Sequence, residues 1–409
     1  QRLPTFAAIV GCWFLCRAVL ARLSRGLPHA WAARLVLAPA FLACATAWLM
    51  TLRPEPFAAL AVGVSLLCAV RFADRPSAGP LAVASLAIVL GITAHSSGIA
   101  ALAPVVAVSP AILAWLRQHG RPAVLTTTVT VTSAASVFLV LATLGADVSR
   151  RRADADVYRA VNHSALGVLD EFFRYDHVYD DGTFVQRLAV GLALVAILAY
   201  LLRGQRMRSP LDVAARSLAA ALLLFSFTPS KWMTHFGALA VITAVAVATE
   251  TQRLLVDGLR PPLRWAARPF LAIVGVIALA SWAWSSRLHW SGIDLRTETW
   301  LWRFEGVLPL DRLTALLAVL AVAGVAIFAA RRGGRDEKAA PWLVVPLVVA
   351  AGVVPIVGLT VMRFAEDMRS TQGWTLARQN LDALRGRRAC GLADDALIPD
   401  TRSVTRLIP

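Results

Sequence analysis

The stretch best equipped for chemistry is Thr228-Pro-Ser-Lys-Trp-Met-Thr-His-Phe-Gly237, a polar segment between two long apolar runs. It brings an ammonium group at Lys231, an indole at Trp232 and an imidazole at His235 close together in the chain. Charged groups beside hydrocarbon need partners, so a bound anion is one interpretation of this stretch. Interfacial anchoring of Lys231 and Trp232 at a helix end is the other, and the stretch alone favours neither.

Two further polar breaks in the apolar sequence carry candidate ligands. Arg53 and Glu55 flank Pro54, so this segment is rigid, and mutual neutralisation of the two charges competes with a direct ligand role. His95-Ser-Ser-Gly98 turns the chain back and predicts a helix N-terminus that would favour an anion, although a simple tight turn is the alternative. Arginine, lysine and histidine suit phosphate oxygens, whereas carboxylates and tryptophans suit a sugar. The candidate binding residues are therefore Arg53, Glu55, His95, Lys231, Trp232 and His235, with no metal ligand assigned.

The elements that must position these residues are membrane spans. Of 409 residues, 58% are hydrophobic and only 16% are charged, which indicates an all-α, polytopic membrane protein. Twelve runs are long enough to cross a bilayer. They lie at 3–21, 31–52, 56–72, 79–94, 97–116, 122–145, 187–203, 211–228, 235–252, 268–286, 309–330 and 341–362.

The arginines sort these connectors into two alternating sets. Six short connectors are basic, and the positive-inside rule places them in the cytoplasm. The other set, which holds all six candidate residues, is then extracytoplasmic in a plasma-membrane protein. The same set includes a loop at 146–186 and a tryptophan-rich loop at 287–308.

Several function classes are disfavoured by what the sequence contains. The net charge of +16 resides mainly in arginines near span ends, so it indicates topology and not nucleic-acid binding. No phosphate-binding loop, dinucleotide fingerprint or paired Cys-x-x-Cys occurs. Asp180-Asp181 before Gly182 is more typical of a solvated turn than of a metal site. Cys12, Cys16, Cys44 and Cys68 fit small buried hydrophobic residues.

Five short motifs resemble those of the actinobacterial cell-wall arabinosyltransferases, the targets of ethambutol. The segment Thr228–Gly237 is similar to the family's T-P-[TS]-K-W-x-H-H-F-G, with Thr234 where a first histidine is usual. Arg2–Thr5, Leu52–Pro56 and Ser97–Ala100 resemble its R-L-P-T, L-R-P-E-P and the end of its S-G-P-T-G-I-A. Arg378–Leu381, followed by Cys390–Asp395, resembles the junction to a C-terminal carbohydrate-binding domain.

The resemblance implies a GT-C-type glycosyltransferase core at 1–362. It also implies an extracytoplasmic linker at 363–409 that begins a truncated carbohydrate-binding domain. The implied reaction transfers arabinofuranose from decaprenylphosphoryl-arabinose to the arabinan of arabinogalactan or lipoarabinomannan. Arg53, Lys231 and His235 would surround the donor phosphate, with Trp232 near the sugar. The general-base aspartate is expected upstream of Gln1, so the chain is expected to be an inactive fragment.

Other readings stay open at this point. Another polyprenyl-phosphate-sugar transferase, for example a mannosyltransferase, has the same requirements, and so does a lipid-linked-sugar transporter or non-catalytic partner subunit. No cofactor is assigned with certainty, although a divalent cation is possible. The expected partners are the lipid bilayer, the lipid-phosphate sugar donor, the arabinan acceptor and a second copy or paralogue in a dimer.

Overall fold

The computed structural model describes residues 2–49, 54–144, 184–202, 212–228, 233–257 and 385. All of these except residue 385 belong to one compact unit. Every regular element among them is helical. They are α1 (Arg2–Leu23), α2 (Ala30–Leu49), α3 (Glu55–Asp74), α4 (Ala78–Ala94), the 3-10 helix η1 (Ser96–Leu102), α5 (Ala103–Ala107), α6 (Ser109–Leu144), α7 (Phe184–Leu202), α8 (Val213–Phe225), the 3-10 helix η2 (Met233–Leu239) and α9 (Ala240–Asp257).

Helix α9 is the centre of the bundle. The stretch His235–Val256 is apolar enough to span a membrane, and 94% of its most apolar window is buried inside the protein. Helices α1, α2, α3, α7 and α8 all contact it. By contrast, α1 exposes Phe6 and Phe14 on its outer side. An inner helix covered by protein and an outer helix with exposed aromatic residues are what a bundle in lipid requires.

Small residues set the close approach of α1, α3 and α9. A Cβ added at Gly63 on α3 would lie 2.9 Å from Leu15 of α1 and 3.2 Å from Val241 of α9. A Cβ at Gly11 of α1 would lie 2.8 Å from Leu60 of α3. Glycines that admit a neighbouring helix are the usual means of tight packing between helices in membranes, where hydrophobic burial provides little driving force. This packing fixes α3, which carries Glu55 at its first residue.

The predicted spans agree with the described helices in most places. Leu3–Leu23, Glu55–Asp74 and His235–Val256 are long and apolar enough to cross a membrane, and Ala30–Ala45, Ala78–Ala94, Ala189–Leu201 and Val213–Phe225 are shorter apolar helices. The last three predicted spans, from 268 to 362, lie outside the described residues. The described part of the chain is therefore all-helical, and the protein is an integral membrane protein.

The predicted span at 97–116 is not one helix. The chain forms η1 and the short α5, breaks at Val108, and continues as α6 with a bend of 55°. Pro110 explains the break, because it lacks the N–H that would bond to Val106 and its ring would clash with that carbonyl group. A second irregularity falls at Gly120, whose φ of 62° lies inside α6 where the sequence predicts a basic connector.

Polar contacts tie the basic ends of the helices together. Arg22 at the end of α1 lies 3.7 Å from Asp74 at the end of α3. Ser24 Oγ donates to Gln252 Oε1 at 2.7 Å, and Gln252 Nε2 donates to the Pro28 carbonyl at 2.8 Å. The end of α9 is thereby held against the α1–α2 connector, at the opposite end of α3 from Glu55.

Candidate functional site

Three of the six predicted site residues meet at one end of the bundle. Glu55, His95 and His235 each offer one oxygen or nitrogen atom, and these atoms lie within 4.8 Å of one another. They come from α3, the start of η1 and η2, three elements that contact one another. We call this group the Glu55–His95–His235 cluster. Its members are 40 and 140 residues apart along the chain, so only the fold brings them together.

Glu55 is the first residue of α3 and is fully buried, with 0% exposure. Pro54 precedes the helix and Pro56 follows Glu55, and proline is well tolerated here because the first N–H groups of a helix have no partner within the helix. A carboxylate in the first turn also interacts favourably with the positive end of the helix dipole. Glu55 therefore lies at the N-terminal end of α3, where the helix dipole compensates part of the cost of burying a carboxylate.

His95 ends α4 and caps η1. Its Nδ1 accepts a hydrogen bond from the Ser97 backbone N–H at 3.2 Å and lies 2.8 Å from Ser97 Oγ. The α4–η1 corner is tight, because a Cβ at Gly98 would overlap the carbonyl group of Gly91. The predicted helix N-terminus beside His95 is thus a 3-10 helix, and the imidazole occupies its capping position.

Ser65 and Cys12 hold the elements around the cluster in register. Ser65 Oγ donates to the Ala101 carbonyl at 2.6 Å, which joins the middle of α3 to η1. Cys12 Sγ lies 3.8 Å from the Pro56 carbonyl oxygen and donates to it, which joins α1 to the first turn of α3. Sequence reasoning missed Ser65, since a serine within an apolar run gives no sign of the partner it meets 36 residues later.

His235 lies in η2 and is buried, with 7% exposure. Its ring meets that of His95 edge to face, with centroids 4.8 Å apart. The neighbouring Phe236 packs on Phe225 at the end of α8, with centroids 5.4 Å apart. Thr228, the first residue of the polar segment, is buried and donates from Oγ1 to the Phe225 carbonyl at 2.8 Å. Both ends of the polar segment are therefore anchored, and the aromatic pair sets the position of His235.

The remaining predicted site residues, Arg53, Lys231 and Trp232, lie outside the described residues, and so do the loops at 146–186 and 287–308. The predicted burial of Cys12, Cys16, Cys44 and Cys68 is confirmed.

An apolar groove runs between α3 and α4. Its volume is about 470 Å³. Phe57, two residues after Glu55, and Ala94, directly before His95, line one end of the groove, and Glu55, His95 and His235 are not among its lining residues. Along its length it is lined by Leu60, Val64, Val83, Leu86 and Leu90. Val83, Leu86 and Leu90 are exposed on the surface of the bundle, so the groove is open from the side.

Three of the described helices are long and apolar enough to span a membrane, and Glu55, His95 and His235 form a polar cluster at one end of the bundle. These features define an integral membrane protein with a candidate site at the helix ends. Residues 1–332 match the family described as mycobacterial cell wall arabinan synthesis protein, and the chain belongs to that family.

Named relatives and a solved structure are consistent with this assignment. The chain is 27% identical over 439 residues to "Probable arabinosyltransferase C" of Mycolicibacterium smegmatis, covering 100% of this chain and 39% of the relative. It is 28% identical over 429 residues to "Probable arabinosyltransferase B" of Mycobacterium tuberculosis, covering 98% of this chain and 38% of the relative.

The fold is similar to the cryo-EM structure of arabinosyltransferase EmbB from Mycobacterium smegmatis. The TM-score is 0.64 at 20% identity, and the match covers 96% of this chain and 36% of that chain. The chain thus spans about two fifths of the length of the relatives that it matches.

Proposed function

We propose that the protein is the membrane core of an arabinosyltransferase that transfers arabinofuranose from decaprenylphosphoryl-arabinose to cell-wall arabinan. Membership of the arabinan synthesis family supports the reaction class. The observation that carries the proposal is the Glu55–His95–His235 cluster at the end of α3 and α4 where one end of the apolar groove also lies. A lipid-phosphate sugar needs an apolar path for its chain and polar groups for its head, and both occur at this end of the two helices.

The roles proposed for the site residues follow from their chemistry. As the bond between the sugar and the lipid phosphate breaks, negative charge grows on the phosphate. Arg53 and Lys231 would stabilise that charge, and His235 would donate a hydrogen bond to the bridging oxygen. Trp232 would stack on the sugar, and Glu55 would accept from its hydroxyl groups. The proposal assigns no residue of this chain as the base that deprotonates the acceptor hydroxyl.

The proposed setting is the plasma membrane, with twelve spans in this chain and the site on the extracytoplasmic face. The described contacts support a common side for the site residues. Glu55 and His95 lie in a cluster with His235, whereas Arg22, Asp74, Ser24 and Gln252 meet at the other end. A dimer with a second copy or a paralogue is part of the same proposal.

The decisive measurement uses the complete protein in membranes, supplied with radiolabelled decaprenylphosphoryl-arabinose and an arabinan acceptor. We expect label to enter the acceptor, and we expect Lys231→Ala and His235→Ala each to lower the rate by more than about tenfold. Trp282→Phe, in the tryptophan-rich region, is the control and should retain the rate.

Other outcomes of this assay overturn the proposal in different ways. Transfer from decaprenylphosphoryl-mannose but not from the arabinose donor would assign a mannosyltransferase. Donor binding without turnover would assign a non-catalytic partner subunit or a transporter. If all three substitutions lower the transfer rate equally and only slightly, Lys231 is an interfacial anchor and not a ligand of the donor phosphate.

A further inference from the structure

We propose that Glu55, His95 and His235 bind one divalent transition-metal ion, with zinc as the ion that best fits the donor set. Such a site is not visible in the sequence, because these residues are 40 and 140 positions apart and no two of them have the spacing of a metal-ligand motif. The fold nevertheless brings one carboxylate and two imidazoles together, with one ligand atom from each within 4.8 Å of the others.

The donor set determines which ion is expected. Two imidazoles and one carboxylate form the protein ligand set of catalytic zinc sites, which leave a fourth position for water or substrate. Magnesium and calcium prefer oxygen ligands throughout, so two nitrogen donors select against them. Ligands about 2.1 Å from zinc lie roughly 3.4 Å apart in a tetrahedral site. In the structure the three ligand atoms lie within 4.8 Å of one another, so the side chains would have to rotate towards the ion by about 1 Å to bind it.

The surroundings of His95 fit a ligand held by a neighbouring group. Because Nδ1 is the atom that contacts Ser97, Nε2 is the ring atom through which His95 would bind the ion. Binding through Nε2 requires the tautomer in which Nδ1 carries the proton and donates to Ser97 Oγ, 2.8 Å away. In that tautomer Nδ1 no longer accepts the Ser97 backbone N–H, so the 3.2 Å contact would be given up when the ion binds. Ser97 is itself fully buried, so this contact is shielded from water. Ser97 is therefore a positioning residue for the proposed site.

Burial and charge favour a cation at this place. Glu55 is fully buried and His235 nearly so, and removing a carboxylate from water is costly unless positive charge compensates it. Counted formally, two neutral imidazole ligands and one carboxylate ligand sum to −1, so these three ligands together with a bound dication would sum to +1. If the transferase proposal is right, that remaining charge would attract the donor phosphate; the metal site itself does not depend on it.

The test is zinc binding by the purified 409-residue chain in detergent, with an affinity tag that contains no histidine. After treatment with a chelator, the protein is titrated with Zn²⁺, and bound zinc is measured by elemental analysis. Co²⁺ replaces zinc in a parallel titration, because the intensity of its visible absorption reports the coordination number of the ion. We expect about one ion per chain and the absorption of a four-coordinate site.

Variants then assign the ligands. Glu55→Gln, His95→Ala and His235→Ala should each weaken zinc binding by more than about tenfold, since even loss of a group behind a ligand costs that much. Ser97→Ala should weaken zinc binding less than any of the three ligand variants does. It should also alter the absorption spectrum of the bound Co²⁺. His119→Ala is the matched control, because His119 bonds to the Trp115 carbonyl within its own helix and should leave binding unchanged.

Two results would overturn the site. One is that the wild type binds Zn²⁺ no more tightly than the three ligand variants do. This result would rule out the metal site whether or not the protein transfers arabinose. The other is a zinc-independent melting temperature in the wild type, because an ion bound only by the folded state must raise it. If one ligand variant fails to fold, the change in the melting temperature of the wild type on adding zinc still tests whether the site binds the ion.

Discussion

Ser65 shows how much a single side chain contributes to the site without touching it. Its hydroxyl donates to the Ala101 carbonyl at 2.6 Å, in a fully buried setting between α3 and η1. Glu55 and His95 lie on the two elements that this bond joins. The bond therefore stabilises both the bundle and the relative position of two members of the Glu55–His95–His235 cluster.

Ser65→Ala should lower the free energy of unfolding by about 1 kcal/mol, because the Ala101 carbonyl loses its partner where water cannot replace it. Thermal unfolding of the chain in detergent measures the effect. Ser85→Ala is the control, since Ser85 bonds only to the Leu81 carbonyl in its own helix and is partly exposed. Equal melting temperatures for the two variants would contradict a stabilising role for the bond between elements.

At this scale the sequence predicts the identity of site residues better than their contacts. Glu55, His95 and His235 stand out because each interrupts an apolar run, and a polar group in that setting needs a reason. Phe225 and Phe236 do not stand out, because aromatic residues are ordinary in apolar helices, and only the fold shows that they pair. Arg53, Lys231 and Trp232 remain predictions, since they lie outside the described residues.

Among the elements, the α4–η1 corner depends on glycine. Gly98 approaches Gly91 so closely that a Cβ at position 98 would overlap the Gly91 carbonyl group. Backbone atoms cannot rotate away as a side chain can, so the corner must open to accept any larger residue. His95 lies within this corner, so opening it would move the imidazole relative to Glu55.

Gly98→Ala should therefore destabilise the protein by roughly 1–3 kcal/mol, the usual cost of overpacking, and should also weaken zinc binding. Gly79→Ala on α4 is the matched control, because a Cβ there meets nothing within 4 Å. The control should be neutral or stabilising by up to about 1 kcal/mol, since alanine is the better helix former. Melting temperatures of the two variants, measured side by side, test the difference.

Helix α9 depends on Gln252, which anchors it at the end away from the cluster. Gln252→Leu has nearly the same volume but removes the partners of Ser24 Oγ and the Pro28 carbonyl. We expect a loss of about 1–3 kcal/mol in unfolding free energy. Gln118→Leu on the exposed side of α6 should change little, and a comparable loss there would show that the effect is not specific to the anchor.

Helix existence is predictable from the sequence because apolar runs of span length have few alternatives in a membrane. The break after α5 is harder to foresee, although Pro104 and Pro110 are its visible cause. Proline is compatible with a kinked span as well as with a broken one, and neighbouring helices decide between them. The contact of Phe236 in η2 with Phe225 at the end of α8 is likewise visible only in the fold.

At the scale of the whole molecule, the alternation of basic connectors has a structural counterpart. The α1–α2 connector, the end of α3 and the end of α9 meet at one end of the bundle, where Arg22, Asp74, Ser24 and Gln252 make their contacts. The cluster lies at the first residue of α3, and α3 alone spans 20 residues, or about 30 Å. Two ends this far apart lie on opposite sides of a hydrocarbon core of similar thickness.

Cysteine labelling in intact cells tests the direction of insertion. A cysteine at Ser230, five residues before His235 in the chain, should react with a membrane-impermeant thiol reagent added outside. Cysteines at Ser77, which is exposed between α3 and α4, and at Gly334 should react only after the cells are opened. The four cysteines in the described helices are buried and can stay, whereas Cys390 is replaced by alanine in every variant. Labelling of Ser77→Cys from outside, with protection of Ser230→Cys, would invert the proposed topology and place the cluster beyond the reach of an extracytoplasmic arabinan acceptor.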